Sequence, residues 1–228
     1  MGQMVANDLI AQTDISLTAG VERDGHLDIG ETFDGIKIIN DSSDFPDADV
    51  WVDFSLAEAA VRHAEIAAKS GIQLIIGATG FNNEQLQILI NASQYCPMLL
   101  GSNFSMGVGV MQQIVGTASK WLKSNFEATL SEQHHNNKLD KPSGTAKDLL
   151  KSIYKSSQLT PQIASFRVGG AIGEHQVRFV GDHEELIITH RAFSREAFSK
   201  GVKRAIDFIV EQENGLHTVH DIYSADTA

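Results

Sequence analysis

The chain contains a single cysteine, Cys96, among 228 residues, so a disulfide within the chain is excluded. Proteins without disulfides are typical of the reducing cytoplasm, and we expect that location. Cys96 lies beside the apolar segment "PMLLG", which favours a small buried hydrophobic side chain at this position. A fold stabilised by disulfides is therefore excluded, and an ordinary hydrophobic core is expected.

Positive charge is also scarce. The chain has 18 lysines and arginines against 29 aspartates and glutamates, which gives a formal net charge of -11 at pH 7. A nucleic-acid backbone requires a basic face, and the sequence has no cluster of basic residues, so we expect no nucleic-acid partner. We also expect no membrane association, because no apolar run approaches the roughly 18 residues of a membrane span. An anionic small molecule can still bind in a local basic pocket.

The first half of the chain alternates apolar strand patterns with helical patterns. The helix "MGQMVANDLIAQ" precedes the strand "ISLTAGVER", and Ser55 and Glu58 fit a capping box for a helix that Gly71 ends. Buried strands separated by helices predict a parallel sheet covered on both faces. The segments read as buried strands are "ADVWVDFS", "IQLIIGATG" and "PMLLGSN".

The second half has strands in succession, with one helix beginning near Ser143 and a hairpin turn at "VGDHEE". We predict an α/β protein: a Rossmann-like parallel-sheet domain over residues 1–104 and 196–228, and an α+β domain over residues 105–195 with a mixed, mostly antiparallel sheet. The four strands expected in the second domain are "FEATLSEQHH", "IASFRVGG", "EHQVRFVG" and "EELIITHRAF".

Ligands of parallel α/β sheets bind at the carboxyl ends of the strands. Glu22 at such an end suits ribose hydroxyls, and the adjacent Arg23 can accept a 2′-phosphate. Each glycine-containing turn alone also fits an ordinary β-to-α connection, but together and in order these turns favour a dinucleotide. The predicted cofactor-binding residues are Glu22, Arg23, Gly77, Ala78, Thr79, Gly101, Ser102, Asn103 and Phe104.

A complete glycine-rich phosphate fingerprint is missing from the sequence. Gly2 lies 20 residues before Glu22, close to the spacing of about 20 residues between the fingerprint and the acidic residue. We therefore expect Gly2 to be the last glycine of a fingerprint whose strand and loop are encoded upstream. The alternative is that the protein lost them, in which case dinucleotide affinity is weak.

The segment "EQHHNNKLDKPSGTAKD" concentrates titratable groups beside a predicted helix start. Strand alternation places Glu132 and His134 on one face and His135 on the other. Ser143 fits an N-cap, and the free N–H groups of such a helix start bind anions. A carboxylate pocket is predicted from Lys138, His135 and the helix start at Ser143, Gly144 and Thr145, with His134 positioned to move a proton.

Two other interpretations of this segment stay open. The Ser-Gly-Thr turn fits a simple helix cap. The histidine pair fits a zinc site completed by Glu174 and His175, but zinc needs three or four ligands and the cysteine is far away in sequence, so we expect no metal.

The segments quoted below resemble the 4-hydroxy-tetrahydrodipicolinate reductase family, formerly called dihydrodipicolinate reductase. The resemblance implies that His134 is the acid/base and Lys138 the proton donor, while His135, Gly144 and Thr145 hold substrate carboxylates. It also implies NADH or NADPH as cofactor, a small cyclic dicarboxylate as substrate, and a homotetramer built through the sheet of the second domain. The matching segments are "GVER", "VDFS", "IIGATGF", "SNFSMGV", "EQHHNNKLDKPSGTAKDL", "VGGAIGEHQVRF", "ELIITHRAFSREAFSKG" and "GLHTVHDIY".

The implied function is reduction of 4-hydroxy-tetrahydrodipicolinate in lysine and diaminopimelate biosynthesis. The chain departs from the family pattern at Asn136 and Asn137, where Arg-His is frequent, and at Ala78, where threonine is common. Two rival hypotheses remain: a catalytically impaired dicarboxylate-binding protein of the same fold, and a metal-dependent hydrolase that uses the histidine pair.

Overall fold

The computed structural model describes residues 1–41 and 47–224; the end of the predicted range 196–228 lies outside them. Within these residues the helices are α1 (Gly2–Ile10), α2 (Ala57–Ser70), α3 (Asn83–Ala92), α4 (Met106–Leu122), α5 (Gly144–Ser157), α6 (Glu196–Ile209) and α7 (Val219–Ser224). The strands are β1 (Gly20–Glu22), β2 (Thr32–Phe33), β3 (Ile36–Asn40), β4 (Val50–Asp53), β5 (Gln73–Ile76), β6 (Pro97–Leu100), β7 (Glu127–His134), β8 (Gln162–Arg167), β9 (Gly173–Val180), β10 (Glu185–Ala192) and β11 (Gly215–Thr218).

The chain folds into two compact units. The first contains Met1–Gly101 and Val202–His217, and the second contains Ser102–Gly201 and the residues from Thr218 onward. The assignment of the first unit to the cofactor and of the second to substrate and oligomerisation stays a prediction. None of the helices in the described part of the chain is both long and apolar enough to cross a membrane.

The first unit contains the predicted parallel strands. β4 pairs with β5 and β5 with β6, all parallel, and β11 lies at the far side of β6. Side chains from β5, β6, α2 and α3 form its core, because β5 after Gln73 and all of β6 are apolar. Among the described residues, β1, β3 and β2 form a separate small sheet, with β1 and β3 parallel. The Rossmann-like class is confirmed, although its strands divide into two sheets.

One predicted helix start is wrong. α2 has Leu56 as its N-cap, without a side-chain hydrogen bond, so Ser55 and Glu58 form no capping box. The N–H of Ser55 instead donates to Asp53 Oδ1 at 2.6 Å, which commits Ser55 to the turn after β4. The stop at Gly71 is confirmed: its φ of 71° is the left-handed conformation that glycine adopts without strain.

The second unit contains a four-stranded sheet in the order β10-β9-β7-β8, in which only β7 and β8 are parallel. The predicted mixed, mostly antiparallel sheet is therefore confirmed. One face of this sheet packs against α4 and α5 through the apolar side chains of a single core. The members of that core are Met111, Val115, Ala128, Leu130, Ala146, Leu149, Ile153, Val177 and Phe179.

The inward face of this sheet changes character along β7. Ala128 and Leu130 belong to the apolar core, whereas Glu132 and His134 are buried on the same face, as the period of two requires. Hence a polar cluster continues directly from the hydrophobic core.

Candidate active site

Strand register assembles the polar cluster of the second unit. Glu132 on β7 lies opposite His175 on β9, and His134 lies opposite Arg167 on β8. Neighbouring positions in a sheet carry side chains on the same face, so four titratable groups from three strands meet. The predicted sharing of one face by Glu132 and His134 is confirmed, because His134 Nδ1 and Glu132 Oε2 are hydrogen-bonded.

Glu132 and Arg167 form a buried bidentate ion pair. Arg167 Nη1 and Nη2 donate to the two carboxylate oxygens, each at 3.0 Å, and the side chains are 0% and 6% exposed for Glu132 and Arg167. Burial raises the pKa of Glu132, but hydrogen bonds from Arg167, Ser165 and His134 outweigh it and lower the pKa. Glu132 is thus an anion that orients its neighbours.

Arg167 also fixes the loop that follows β7. Its Nε donates to the carbonyl of Lys138 at 3.1 Å, and its Nη2 donates to the carbonyl of Asp140. Sequence reasoning missed both Arg167 and the role of Glu132. The strand alternation that places Glu132 on the same face as His134 was the available sequence signal, whereas Arg167 has no local signal because its partners are far away in sequence.

His134 is held as a neutral imidazole. Burial lowers its pKa, and the charges of Lys138 and Arg167 lower the pKa further, while the hydrogen bond and charge of Glu132 oppose them. Since Glu132 is an anion, His134 Nδ1 carries the proton of their hydrogen bond, which leaves the Nε2 lone pair able to accept a proton. Gly173 faces this nitrogen: a Cβ there would lie 3.2 Å from it.

His175 packs edge-on against His134, with ring centroids 5.1 Å apart, and its Nε2 lies 3.1 Å from Ser143 Oγ. Burial is the main cause that lowers the pKa of His175 to about 3, and a positive charge on the neighbouring His134 acts in the same direction when that ring is protonated. The sequence offered His175 only as a possible zinc ligand. In the structure it supports Ser143 at the start of α5.

Glu132, His134 and His175 present potential metal-ligand atoms within 4.8 Å of one another. Both Glu132 oxygens, however, already accept hydrogen bonds from the Arg167 guanidinium, and His134 Nδ1 is bonded to Glu132. A divalent cation would have to displace that guanidinium from a buried position. The contacts therefore favour a hydrogen-bonded proton-handling network over a zinc site.

The buried neutral His175 makes stability depend on pH. The folded pKa of about 3 lies below the ordinary value of 6.5, so the stabilisation is present above pH 6.5 and is lost as pH falls toward 3. We expect the free energy of unfolding to fall with pH between 6.5 and 5, with His175 contributing up to about 1.4 kcal/mol per pH unit. Urea denaturation at several pH values measures this slope.

Two variants test the assignment of that slope. His175→Phe removes the titrating group, so the free energy of unfolding should depend less on pH, by up to about 1.4 kcal/mol per pH unit. His183→Gln removes an exposed histidine in the turn between β9 and β10 and should keep the full slope. An unchanged slope in His175→Phe would contradict the assignment.

The start of α5 is built as the sequence predicts. Ser143 is its N-cap: the Ser143 hydroxyl oxygen accepts the N–H of Ala146 at 3.2 Å. The Ser143 N–H in turn donates to Glu132 Oε1 at 3.3 Å, which ties the helix start to β7. The N–H groups of this first turn thus lie next to the buried network.

Lys138 lies in the turn after β7. Its N–H donates to the carbonyl of His135 at 3.1 Å, and its Nζ lies 2.8 Å from Asp140 Oδ1. Its charge is close enough to lower the pKa of both His134 and His175. The structure therefore brings Lys138 and His134 together, while His135 is half-buried and follows on the opposite face of the strand.

Two of the predicted cofactor residues contact α5. Asn103 Nδ2 donates to Thr145 Oγ1 at 2.9 Å, and Ser102 Oγ donates to Asp148 Oδ2 at 2.6 Å. Gly144 suits this approach, because a Cβ there would lie 3.0 Å from Ser102 Cβ, a tight contact. Ser102 and Asn103 therefore belong with α5 in the second unit.

The other predicted cofactor residues, except the buried Phe104, lie in the first unit. Glu22 is half-buried at the end of β1, and Arg23 lines a pocket of about 490 Å³. An acidic group and a guanidinium at a strand end fit the ribose side of a dinucleotide. Arg62 and His63 of α2 also line this pocket and were missed from sequence.

Packing within the first unit explains why the turn after β5 has glycine at position 77. A Cβ at Gly77 would lie 2.3 Å from the ring of Phe54, so the turn requires glycine whether or not a ligand binds. Ala78 is buried in the core and Thr79 is exposed. Gly101, at the end of β6, donates its N–H to the carbonyl of Ile76 at 2.9 Å.

A Rossmann-like unit, together with a mixed-sheet unit that carries a buried histidine–glutamate–arginine network, defines a two-domain oxidoreductase. Comparison with known families gives the particular one. The family model described as "Dihydrodipicolinate reductase, N-terminus" matches residues 1–104, and the one described as "Dihydrodipicolinate reductase, C-terminus" matches residues 107–223. The chain belongs to the dihydrodipicolinate reductase family, whose members are oxidoreductases that use a nicotinamide cofactor.

Curated relatives agree with this assignment. The 4-hydroxy-tetrahydrodipicolinate reductase of Archaeoglobus fulgidus is 37% identical over 82% of this chain and 80% of its own length. That of Methanocorpusculum labreanum is 33% identical over 97% of this chain and 94% of its own length.

Among solved structures, the dipicolinate-bound dihydrodipicolinate reductase of Paenisporosarcina sp. TG-14 superposes with a TM-score of 0.72. Its sequence is 22% identical to this chain, with coverage of 95% of this chain and 92% of that one. This likeness confirms the fold.

Proposed function

We propose that the protein reduces 4-hydroxy-tetrahydrodipicolinate to tetrahydrodipicolinate with NADH or NADPH, as a step of lysine and diaminopimelate biosynthesis. The observation that carries the proposal is the convergence of His134, Lys138 and the start of α5 around one buried network. Curated relatives that match most of this chain bear the name of that reductase.

The substrate class follows from charge. A cyclic dicarboxylate brings two anionic groups, and buried or half-buried anions require cationic and dipolar partners. Lys138 supplies a cationic partner and His135 a ring N–H, while Gly144 and Thr145 supply N–H groups at the positive end of α5. The Paenisporosarcina enzyme was crystallised with dipicolinate, itself a cyclic dicarboxylate, which supports the same class here.

The proposed chemistry assigns proton transfer to two side chains. Loss of the 4-hydroxyl group as water leaves a conjugated ring, and NADH or NADPH, when bound, would supply a hydride to one end of this conjugated system. Lys138, as an ammonium, donates a proton to the other end and becomes neutral. His134, neutral with the Nε2 lone pair available, would take a proton from solvent at Nε2 and pass it to the neutral lysine, which restores the ammonium. Glu132 keeps the imidazole in the required tautomer.

The cofactor is proposed to meet the first unit at the strand ends. Glu22 and Arg23 would contact the adenosine ribose, and Gly77, Ala78 and Thr79, together with Gly101, Ser102, Asn103 and Phe104, would line the nicotinamide side. Arg62 adds a second guanidinium to the pocket of Arg23, although it already pairs with Asp41 at 3.2 Å. Because carboxylates and guanidinium groups both line this pocket, we propose NADH or NADPH without choosing between them.

Assembly is proposed to be a homotetramer formed through the sheet of the second unit. Phe166 on β8 and Ile187 on β10 are large apolar side chains that stay exposed in the isolated chain. Exposed apolar groups on a sheet favour pairing with another sheet. The cytoplasmic location stays an expectation from sequence.

An assay with the purified chain tests the proposed activity. We expect substrate-dependent loss of reduced-nicotinamide absorbance, with tetrahydrodipicolinate as product. Binding of a dicarboxylate without oxidation of either NADH or NADPH would instead favour the impaired binding protein. Stoichiometric zinc and inhibition by a chelator would favour the metal-dependent hydrolase.

A further inference from the structure

Two groups that should hold a substrate carboxylate already contact a carboxylate of the chain itself. Lys138 Nζ lies 2.8 Å from Asp140 Oδ1, and the backbone N–H of Gly144 is close enough to lower the pKa of Asp140. Asp140 thus stands at the start of α5, where the helix dipole favours an anion. Its position is that of a ligand carboxylate.

Asp140 is an anion in this position. Burial raises its pKa, but the hydrogen bond and charge of Lys138, with the N–H groups of Asp140 and Gly144, lower the pKa below the ordinary value. The ion pair therefore persists at neutral pH and uses the cationic and dipolar partners that a substrate carboxylate needs.

The carboxylate of Asp140 can leave without disturbing the fold. Its side chain is 45% exposed, so it can move into water. Its backbone is held separately, because Arg167 Nη2 donates to the Asp140 carbonyl. Departure of the side chain frees Lys138 and the Gly144 N–H while the loop keeps its place.

We propose that Asp140 occupies the carboxylate-binding position of the free protein and that a substrate carboxylate displaces it. This inference rests on the proposed function, because it takes Lys138 and Gly144 as substrate contacts. Asp140 then lowers the affinity for a dicarboxylate ligand. A ligand carboxylate must break the contacts of the Asp140 carboxylate, and the cost of breaking them offsets part of the binding free energy. Displacement also releases the Lys138 ammonium toward the ligand.

Calorimetric titration of the full chain with dipicolinate tests this inference. Asp140→Asn keeps the size of the side chain and removes its charge. We expect its dissociation constant for dipicolinate to be roughly 3- to 10-fold lower than that of the unaltered chain, the range for a partly exposed charged contact. Asp140→Ser, which removes the carboxylate altogether, should tighten binding in the same direction.

A matched control separates displacement from a general change in charge. Asp182→Asn removes one negative charge from the exposed turn between β9 and β10, and its dissociation constant should stay within about 2-fold of the unaltered chain. Unchanged or weaker binding in both Asp140 variants would overturn the inference, because Asp140 would then support Lys138 rather than compete for it. Absence of dipicolinate binding by the unaltered chain would instead overturn the proposed substrate class, and this inference with it.

Discussion

Replacing Lys138 by alanine is expected to lower kcat by roughly 10²-fold or more, the scale typical of a positioned acid or base. The ammonium is the proposed proton donor, and its charge also holds a substrate carboxylate, so KM should rise as well. His134→Gln is expected to lower kcat by a similar factor, because glutamine keeps a hydrogen bond to Glu132 but cannot accept a proton.

Steady-state kinetics with saturating NADPH would measure these effects. Lys147→Ala is a matched control, since Lys147 is an exposed lysine of α5 in the same segment and its loss should leave kcat nearly unchanged. Circular dichroism and thermal unfolding would show that each variant is folded. If kcat were unaffected in both Lys138→Ala and His134→Gln, neither side chain could have the role proposed for it.

Replacing Arg167 by methionine is expected to destabilise the fold by about 3–5 kcal/mol, the usual result of removing one partner from a buried ion pair. Methionine fills much of the same volume, so the loss comes from the missing charge and from the missing hydrogen bonds to the carbonyls of Lys138 and Asp140. Glu132, which is fully buried, would lose its guanidinium partner. Urea denaturation at pH 7 would measure the free energy of unfolding.

The dependence of this loss on pH identifies its cause. In the unaltered chain the pKa of Glu132 is lowered, so the pair stabilises the fold above the ordinary glutamate pKa, and the contribution is lost as pH falls through the lowered value. Without Arg167, burial favours protonated Glu132, so the deficit of Arg167→Met should shrink at lower pH. The double variant Glu132→Gln with Arg167→Met should recover much of the stability. A deficit below 1 kcal/mol, or one independent of pH, would contradict the importance of the pair.

The parts of the fold that sequence predicted are those set by local patterns. The period of two in β7 correctly placed Glu132 and His134 on one face, Ser143 was correctly read as an N-cap, and Gly71 as a helix end. The strands β2 and β11 were missed because they are brief, and β3 was missed although Ile36 and Ile38 alternate with Lys37. Ser55 was misread because its N–H bonds to Asp53 instead of capping α2.

The candidate site shows the same division. His134, Lys138 and the start of α5 lie within one short segment, so their convergence could be predicted. Arg167 could not be, since it reaches Glu132 only through the pairing of β7 with β8, which no local pattern encodes. Asn103 and Thr145 likewise meet across a long stretch of chain.

One face of β7 carries apolar side chains of the core and, further along, the polar side chains of the candidate active site. A slip of a single residue in its pairing would turn Leu130 out toward water and point His134 away from its partners at the same moment. The apolar residues of β7 thus set the strand register that keeps the His134 imidazole beside its hydrogen-bonding partners. The orientation of the His134 side chain is therefore fixed by the burial of Ala128 and Leu130 on the same strand, without further structural elements.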